Sequence, residues 1–181
     1  HSADINVMME AMTLGGYKKK GVVLTPKDAL EGKDPVIYKY NRSYVDKIEI
    51  LKTGKDYKIG KIGIKAAIRH RHDVETYGLI IKSGRRSLSY ITDTKFFPGL
   101  AKAYKDEILI VSVLRYNPTP YDHLCVREAK EIIREIKPKT TILTHFGMEM
   151  IKSKPWKIAE DLTKELKTKV IAASDGMLFK I

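Results

Sequence analysis

The sequence has no glutamine, a single cysteine and a single tryptophan among its 181 residues. Cys125, alone, cannot form a disulfide within the chain, which favours a reducing compartment and predicts a cytoplasmic protein. No apolar run reaches the ~18 residues that a membrane-spanning helix needs, so no membrane partner is predicted. The scarcity of amide side chains beside abundant Lys and Glu is typical of proteins from hot environments.

Acidic side chains are also few relative to basic ones. There are 22 Asp and Glu against 34 Lys and Arg, which gives a formal net charge of +12. Such an excess fits a nucleic acid partner, because clustered cations displace the counterions of phosphates. The alternative is a generally basic, thermophile-like surface, since the lysines are spread along the chain and only Lys18–Lys20 form a compact cluster. Both interpretations stay open.

The order of the predicted elements indicates an α/β protein. A helix over residues 3–14 and a short strand over 21–25 come first, and residues 27–45 are predicted to mix turns with a tyrosine-rich stretch. Hairpin-like strands follow, separated by glycine-containing turns, and predict an antiparallel or mixed sheet. They cover residues 47–52, 56–59, 62–69, 77–83 and 87–92. After residue 93, strands and helices alternate, as expected for a sheet covered by helices. We predict helices over 97–104, 126–136 and 155–167, and strands over 108–114, 141–143, 170–173 and 177–181.

Three side chains of types that commonly bind metals lie at or just beyond the ends of predicted strands. They are His72 in the run His-Asp-Val-Glu-Thr-Tyr-Gly, Asp93 in Thr-Asp-Thr, and His145 in Thr-His-Phe. Side chains delivered from several strand ends can converge at one edge of a sheet, where a rigid scaffold holds them. Imidazole and carboxylate groups are ligands of zinc and related ions. The sequence therefore predicts a metal site.

These motifs resemble those of the metallo-β-lactamase superfamily, in particular its ribonuclease Z-like and phosphodiesterase-like branches. His72 precedes Gly78 by the family spacing, and Asp93 and His145 follow in family order. The resemblance implies an αβ/βα sandwich in one domain over residues 1–181. It also implies two divalent metal ions, zinc first, with manganese and iron as alternatives. His72 would bind the first ion, Asp93 would bridge, and His1 with His145 would bind the second.

The family's H-x-H-x-D-H motif is not present in this sequence. However, the opening residues His1-Ser2-Ala3-Asp4 look like the end of that motif and the residues after it. We therefore expect the fold to lack its first strands, and two further His ligands and an Asp to precede His1. The 181 residues alone should then bind metal poorly. An exposed sheet edge would favour pairing with a second copy, and hence a homo-oligomer.

Three further residues are candidates near this site. His123 lies in a His-Leu segment that resembles one whose His donates a proton to the leaving group; a polar loop residue is the alternative. His70 shares a strand face with His72, and we expect it to be a structural or substrate-side residue, with metal ligation as the alternative. Asp175, before Gly176, either orients a ligand His or simply occupies a turn.

The resemblance implies a dinuclear hydrolase in which a metal-bound hydroxide attacks a phosphodiester or another ester. Asp93 and His123 would be its catalytic residues. A β-lactamase proper is disfavoured, because that branch usually has Cys where Asp93 stands. Alternatives on the same metals are a thioesterase or a lactonase acting on a small molecule. A redox protein of the same fold, and a non-catalytic binding protein with a degenerate metal site, are alternatives from other classes. Fold analogy cannot choose among them.

Overall fold

The computed structural model describes residues 4–180. The chain separates into two compact units, residues 1–52 and residues 53–181. The assignment of residues 1–181 to one domain stays a prediction. Among the helices of residues 4–180, none combines the length and apolar character that crossing a membrane requires.

The first unit contains two helices, a 3-10 turn and one pair of strands. Its elements are α1 (Ile5–Thr13), β1 (Val22–Thr25), α2 (Asp28–Glu31), a 3-10 turn (Asn41–Tyr44) and β2 (Lys47–Ile50). Strands β1 and β2 pair in parallel. The apolar stripe that predicts α1 places Met9 in a small core with Val23 and Ile37. The predicted helix over 3–14 and strand over 21–25 are thus confirmed for the described residues.

The second unit contains a seven-stranded sheet whose strands follow one another in chain order, β3 to β9. The strands are β3 (Asp56–Ile59), β4 (Ile62–Arg69), β5 (Tyr77–Ser83), β6 (Arg86–Ile91), β7 (Ile108–Ser112), β8 (Thr140–Thr144) and β9 (Lys169–Ala172). Pairing is antiparallel from β3 to β6 and parallel from β6 to β9. This confirms the predicted change from hairpins to strand–helix alternation for the strands from residue 56 onward. The strand predicted over 47–52 does not belong to this hairpin series, because β2 pairs in parallel with β1 in a separate sheet.

The main core of this unit lies between the sheet and its helices. The helices are α3 (Val126–Ile136), α4 (Met148–Lys152) and α5 (Pro155–Leu166). Leu109, Val111 and Leu143 from the sheet are fully buried with Ile132 and Ile133 of α3. Burying an aliphatic side chain of this size contributes about 1.5–3 kcal/mol. The core therefore fixes the parallel strands that lead to the candidate site.

Two predicted elements are wrong. The segment 97–104 contains only a short 3-10 turn, Ala101–Ala103, because Pro98 offers no backbone N–H and Gly99 has a φ of 89°. The apolar residues of this segment are nevertheless buried, since Phe97, Leu100 and Tyr104 are in the core. Residues 177–180 form no strand, and residue 181 lies outside the described residues. Leu178 is 94% exposed, so it has no sheet to pack on.

Candidate metal centre

The strand directions bring four chain segments to one edge of the sheet. Strands β4, β6, β7 and β8 all run the same way, because β4 and β6 are each antiparallel to β5 and the others are parallel to β6. His72 follows β4, Asp93 follows β6 and His145 follows β8 directly. The carboxyl ends of parallel strands are the usual place for a binding site in an open α/β sheet. The predicted convergence is therefore built into the topology.

Asp93 is the centre of the group. Its Oδ2 lies 3.0 Å from Nε2 of His145. The atoms with which Asp93, His72 and His123 could bind a metal ion all lie within 4.8 Å of one another. The rings of His72 and His123 are 5.2 Å apart between centroids, and those of His123 and His145 are 6.2 Å apart. Three imidazoles thus surround one carboxylate.

Hydrogen bonds hold the His72 loop against the Asp93 loop. The backbone N–H of Arg71 donates to Thr94 Oγ1 at 3.1 Å, and Lys95 N–H donates to Arg71 O at 2.8 Å. The Thr76 hydroxyl donates to Asp93 O at 3.4 Å. Thr94 is fully buried. Thr94, the second threonine of the Thr-Asp-Thr motif, therefore helps to position His72 beside Asp93 in addition to any role in the local turn.

His145 has a left-handed backbone, with a φ of 62°. This conformation is uncommon for residues other than glycine and is often found at functional sites. The chain then turns sharply, and Gly147 N–H donates to Leu114 O at 3.1 Å. A Cβ on Gly147 would stand 2.9 Å from that same oxygen. The close approach requires glycine, and it fixes the position from which His145 reaches Asp93.

His70 directly follows β4 and already has two partners. Its Nδ1 is 2.9 Å from Thr92 Oγ1, and its Nε2 is 2.9 Å from the hydroxyl of Tyr104. The side chain is 4% exposed. Both ring nitrogens are therefore engaged, which leaves none to bind a metal. Of the two expectations for His70, the structural one agrees with these contacts.

Asp93 and His123 influence each other's pKa. Burial alone would raise the pKa of Asp93, but the hydrogen bond with His145 and the nearby imidazoles outweigh it, so the pKa is lowered. Asp93 is therefore ionised at neutral pH. Burial lowers the pKa of His123, although the Asp93 carboxylate opposes this. An ionised carboxylate is the state in which Asp93 can bind a metal ion.

The residues present fit a divalent metal ion. Nε2 of His72 and Nδ1 of His123 are buried and have no hydrogen-bond partner within residues 4–180. A buried polar nitrogen without a partner costs free energy unless something fills the role. Nitrogen ligands from His and an oxygen from Asp are a set that zinc and iron both accept. His72 and Asp93 would hold such an ion, with His145 adjoining through Asp93 and His123 close enough to contact either the ion or a bound substrate.

Not every predicted site residue is placed in this group. His1 lies outside the described residues, so its role stays a prediction. Asp175 is exposed in the turn before Gly176, which agrees with the turn interpretation. The ligand roles of His72, Asp93 and His145, and the catalytic role of His123, stay predictions although the structure brings these side chains together.

Sequence reasoning missed one residue at this edge. Arg115 follows β7, the strand between β6 and β8, and its charge lies close enough to His123 to contribute to the lowering of the pKa of that ring. The signal was available, because the residues after a buried parallel strand reach the same edge as their neighbours. However, Arg115 could not be assigned to this edge from the sequence, because the pattern of hydrophobic residues alone does not give the order of the strands in the sheet.

The chain belongs to the β-lactamase superfamily, because the model of the β-lactamase superfamily domain matches its residues 1–146. Among curated proteins it is similar to the uncharacterized protein MJ1374 of Methanocaldococcus jannaschii. The two are 29% identical over 184 residues, which cover 98% of this chain and 68% of that protein.

Solved structures show the same fold. The metallo-β-lactamase fold protein YhfI from Bacillus subtilis superposes with a TM-score of 0.78 at 18% identity, covering 98% of this chain and 71% of YhfI. A diphosphatase from the PhnP family superposes with a TM-score of 0.69 at 18% identity, covering 96% of this chain and 62% of that one. At this identity the similarity establishes the metallo-β-lactamase fold and nothing finer. It confirms the α/β fold expected from the sequence motifs.

Proposed function

We propose that the protein is a metal-dependent hydrolase that cleaves a phosphodiester or another ester. The observation that carries the proposal is the convergence of His72, Asp93 and His123 at the carboxyl edge of the sheet, with ligand atoms within 4.8 Å of one another. Family membership supports it, since one similar fold is that of a diphosphatase. Two ions with zinc preferred, and a cytoplasmic location that suits the free, buried Cys125, are parts of the same proposal.

Each residue has a distinct task in this proposal. Asp93 stands between His72 and His145, so its two carboxylate oxygens suit a bridging ligand. Bound divalent ions supply an activated water and polarise the ester group. The left-handed backbone at His145 and the buried Thr94 keep the ligand side chains in place before substrate arrives. Such preorganisation is what a metal site needs from its scaffold.

His123 is the proposed proton donor to the leaving group. It lies on the loop that leads into α3, and its ring packs edge-on against His72. The loop is fixed on both sides, because Arg115 N–H donates to Leu124 O at 3.3 Å and Val126 N–H donates to Arg115 O at 3.1 Å. A donor must be held within reach of the leaving oxygen, and this anchoring restricts where the ring can go.

A panel of phosphodiester, carboxylic ester, thioester and lactone substrates tests the proposal. The zinc-loaded protein should hydrolyse bis(p-nitrophenyl) phosphate, lose the activity on dialysis against a chelator, and regain it when zinc is restored. Asp93→Asn should abolish the activity, whereas Asp175→Asn, the same chemical change in an exposed turn, should leave it intact. Preference for a thioester or a lactone in the same panel would favour the alternative chemistry. Metal-independent activity would contradict the proposal.

A further inference from the structure

Arg115 occupies the middle of the edge that carries the candidate metal centre. Strand β7 lies between β6, which leads to Asp93, and β8, which leads to His145. The pairing continues beyond β7, since Val113 N–H donates to Thr144 O at 2.9 Å. The chain that follows therefore leaves the sheet between the two ligand-bearing segments, and Arg115 is two residues further on.

The backbone of Arg115 is fixed beside the His123 loop. It forms an isolated parallel bridge with Cys125, with hydrogen bonds to Leu124 O and from Val126 N–H. These contacts use only main-chain atoms, so they do not depend on the arginine side chain. The position is thus held rigidly, while the side chain remains available for another task.

The guanidinium has no protein anion as its partner among the described residues. Its Nε is buried and makes no hydrogen bond within residues 4–180. Its Cζ lies 5.6 Å from the ring centroid of Tyr121, which is 62% exposed. Two nearby carboxylates bind elsewhere. Asp122 pairs with Lys95 at 3.8 Å, and Glu149 accepts hydrogen bonds from Asn117 Nδ2 and Tyr116 N–H.

A buried N–H donor of a charged group is costly to leave unpaired. The planar guanidinium offers parallel donors that match two oxygens of a phosphate. A phosphodiester keeps a negatively charged oxygen that is not cleaved, whereas a carboxylic ester, a thioester and a lactone have no such charge. A cation beside the metal centre therefore discriminates between the candidate substrate classes.

We propose that Arg115 binds the charged, non-bridging oxygens of a phosphodiester substrate, and so determines specificity for phosphorus esters over uncharged ones. This inference rests on the proposed function and names the substrate class for the same site. Arg115 touches the substrate in this account, while His123 serves the leaving group. The two residues flank the segment 116–122, whose exposed Tyr116 and Tyr121 border the approach.

Two substrates with the same leaving group test the assignment in the zinc-loaded protein. Arg115→Met should lower kcat/KM for bis(p-nitrophenyl) phosphate by roughly 10- to 100-fold, the effect expected from losing a charged hydrogen-bonding group. The value for p-nitrophenyl acetate should change less than about threefold. The kcat/KM of Arg115→Lys for the phosphodiester should lie between those of the unmodified protein and Arg115→Met, because lysine keeps the positive charge but lacks the two parallel N–H donors of the guanidinium. Arg127→Met, which removes the same charge from an exposed position on α3, should match the unmodified protein.

Binding of inorganic phosphate, measured by calorimetry, supplies a readout that does not need turnover. Arg115→Met should weaken phosphate binding about tenfold, and Arg127→Met should not. If the unmodified protein hydrolyses neither ester, the proposed function fails, while the phosphate titration still decides the role of Arg115. Equal losses on both esters, or phosphate binding that is absent from the unmodified protein or insensitive to Arg115, would overturn the inference.

Discussion

His70 and His72 are two positions apart and have different surroundings. The Thr92 hydroxyl donates to Tyr77 O at 2.9 Å, so its oxygen accepts the Nδ1–H of His70. Nε2 of His70 then accepts from the Tyr104 hydroxyl. This fixes a neutral ring with its proton on Nδ1. Nε2 of His72, in contrast, is buried without a hydrogen-bond partner in the described part of the chain.

Stability should depend on pH through His70. Burial lowers the pKa of His70 from 6.5 to about 4. As the pH falls from 6.5 towards 4, the unfolded chain takes up a proton and the folded protein does not. The free energy of unfolding should therefore fall in this window, by up to about 1.4 kcal/mol per pH unit, and this loss should be absent above pH 6.5.

Chemical unfolding of the metal-free protein at pH 7 and pH 5 measures this effect. His70→Gln has no titrating group at the position, so its free energy of unfolding should fall less between the two pH values. The other histidines are common to both proteins, and their contributions cancel in the comparison. Equal losses in the two proteins would show that His70 is protonated normally, and would contradict the buried network.

His123 has two roles to separate, proton donor and metal ligand. If it protonates the leaving group, His123→Ala should reduce turnover by about 10²–10⁴-fold with bound metal retained. The reduction should be largest for a poor leaving group, such as an alkoxide, and smaller for p-nitrophenolate, which needs less protonation. Turnover on both substrates and the metal content of the same preparation are the measurements. Loss of metal together with activity would make His123 a ligand, and unchanged turnover would remove it from the mechanism.

At the scale of elements, strand β5 lies close to the Tyr104 side chain, which belongs to the segment between β6 and β7. The Cβ of an alanine at Gly78 would stand 1.6 Å from the Tyr104 hydroxyl and 2.5 Å from Nε2 of His70. Gly78→Ala should therefore destabilise the protein by about 1–3 kcal/mol or more, because the displaced groups belong to a buried hydrogen-bonded network.

The neighbouring strand offers a matched control for this change. Gly63 in β4 has only Lys82 Cβ at 3.8 Å from the position of an added Cβ, so Gly63→Ala should leave the free energy of unfolding within about 0.5 kcal/mol. Urea unfolding of the two variants measures the difference. A Gly78→Ala variant as stable as Gly63→Ala would show that β5 and Tyr104 do not approach as closely as described.

The spacing of apolar residues along the sequence predicted most elements of this fold, because strands and helices that bury one face require apolar residues at regular intervals. The strands ending before His72, Asp93 and His145 were predicted to within a few residues, and the family spacing then named the same three side chains. Helix α4 was missed, since its five residues carry too few periods to detect. The helix predicted over 97–104 is wrong for a different reason. The apolar residues there have helical spacing because they are buried, but Pro98 and Gly99 prevent a helix from forming.

The contacts around the site were less predictable, since they depend on which strands become neighbours. Nothing local to Tyr104 indicates that its hydroxyl meets His70, and the left-handed backbone of His145 has no signal in a Thr-His-Phe sequence. Arg115 shows the same limit. Its importance follows from the position of β7 between two ligand-bearing strands, which is a property of the whole sheet.

At the scale of the whole molecule, part of the positive charge is concentrated away from the candidate metal centre. Lys58, Lys61, Arg85 and Arg86 line one groove by the β3–β4 and β5–β6 turns. These turns are at the opposite end of the strands from Asp93. Nucleic acid stays a predicted partner, and this groove is where its phosphates would bind.

Salt dependence tests that partner. If duplex nucleic acid binds here, log K should fall linearly with log salt, with a slope of about −0.9 for each phosphate neutralised. Lys61→Ala combined with Arg85→Ala should make the slope shallower by about 1.8. Lys157→Ala combined with Lys164→Ala, which removes the same charge from α5, should not change it. Undetectable binding at low salt would leave the charge as a property of the surface alone.

The central claim is that the edge holding His72, Asp93 and His145 binds metal. Zinc content per protein, measured by mass spectrometry after loading and removal of free metal, tests it most directly. We predict that the whole protein retains zinc, that Asp93→Asn loses most of it because the shared carboxylate is weakened as a ligand, and that Asp175→Asn retains it. Equal zinc in Asp93→Asn and Asp175→Asn, or none in the unmodified protein, would contradict the account.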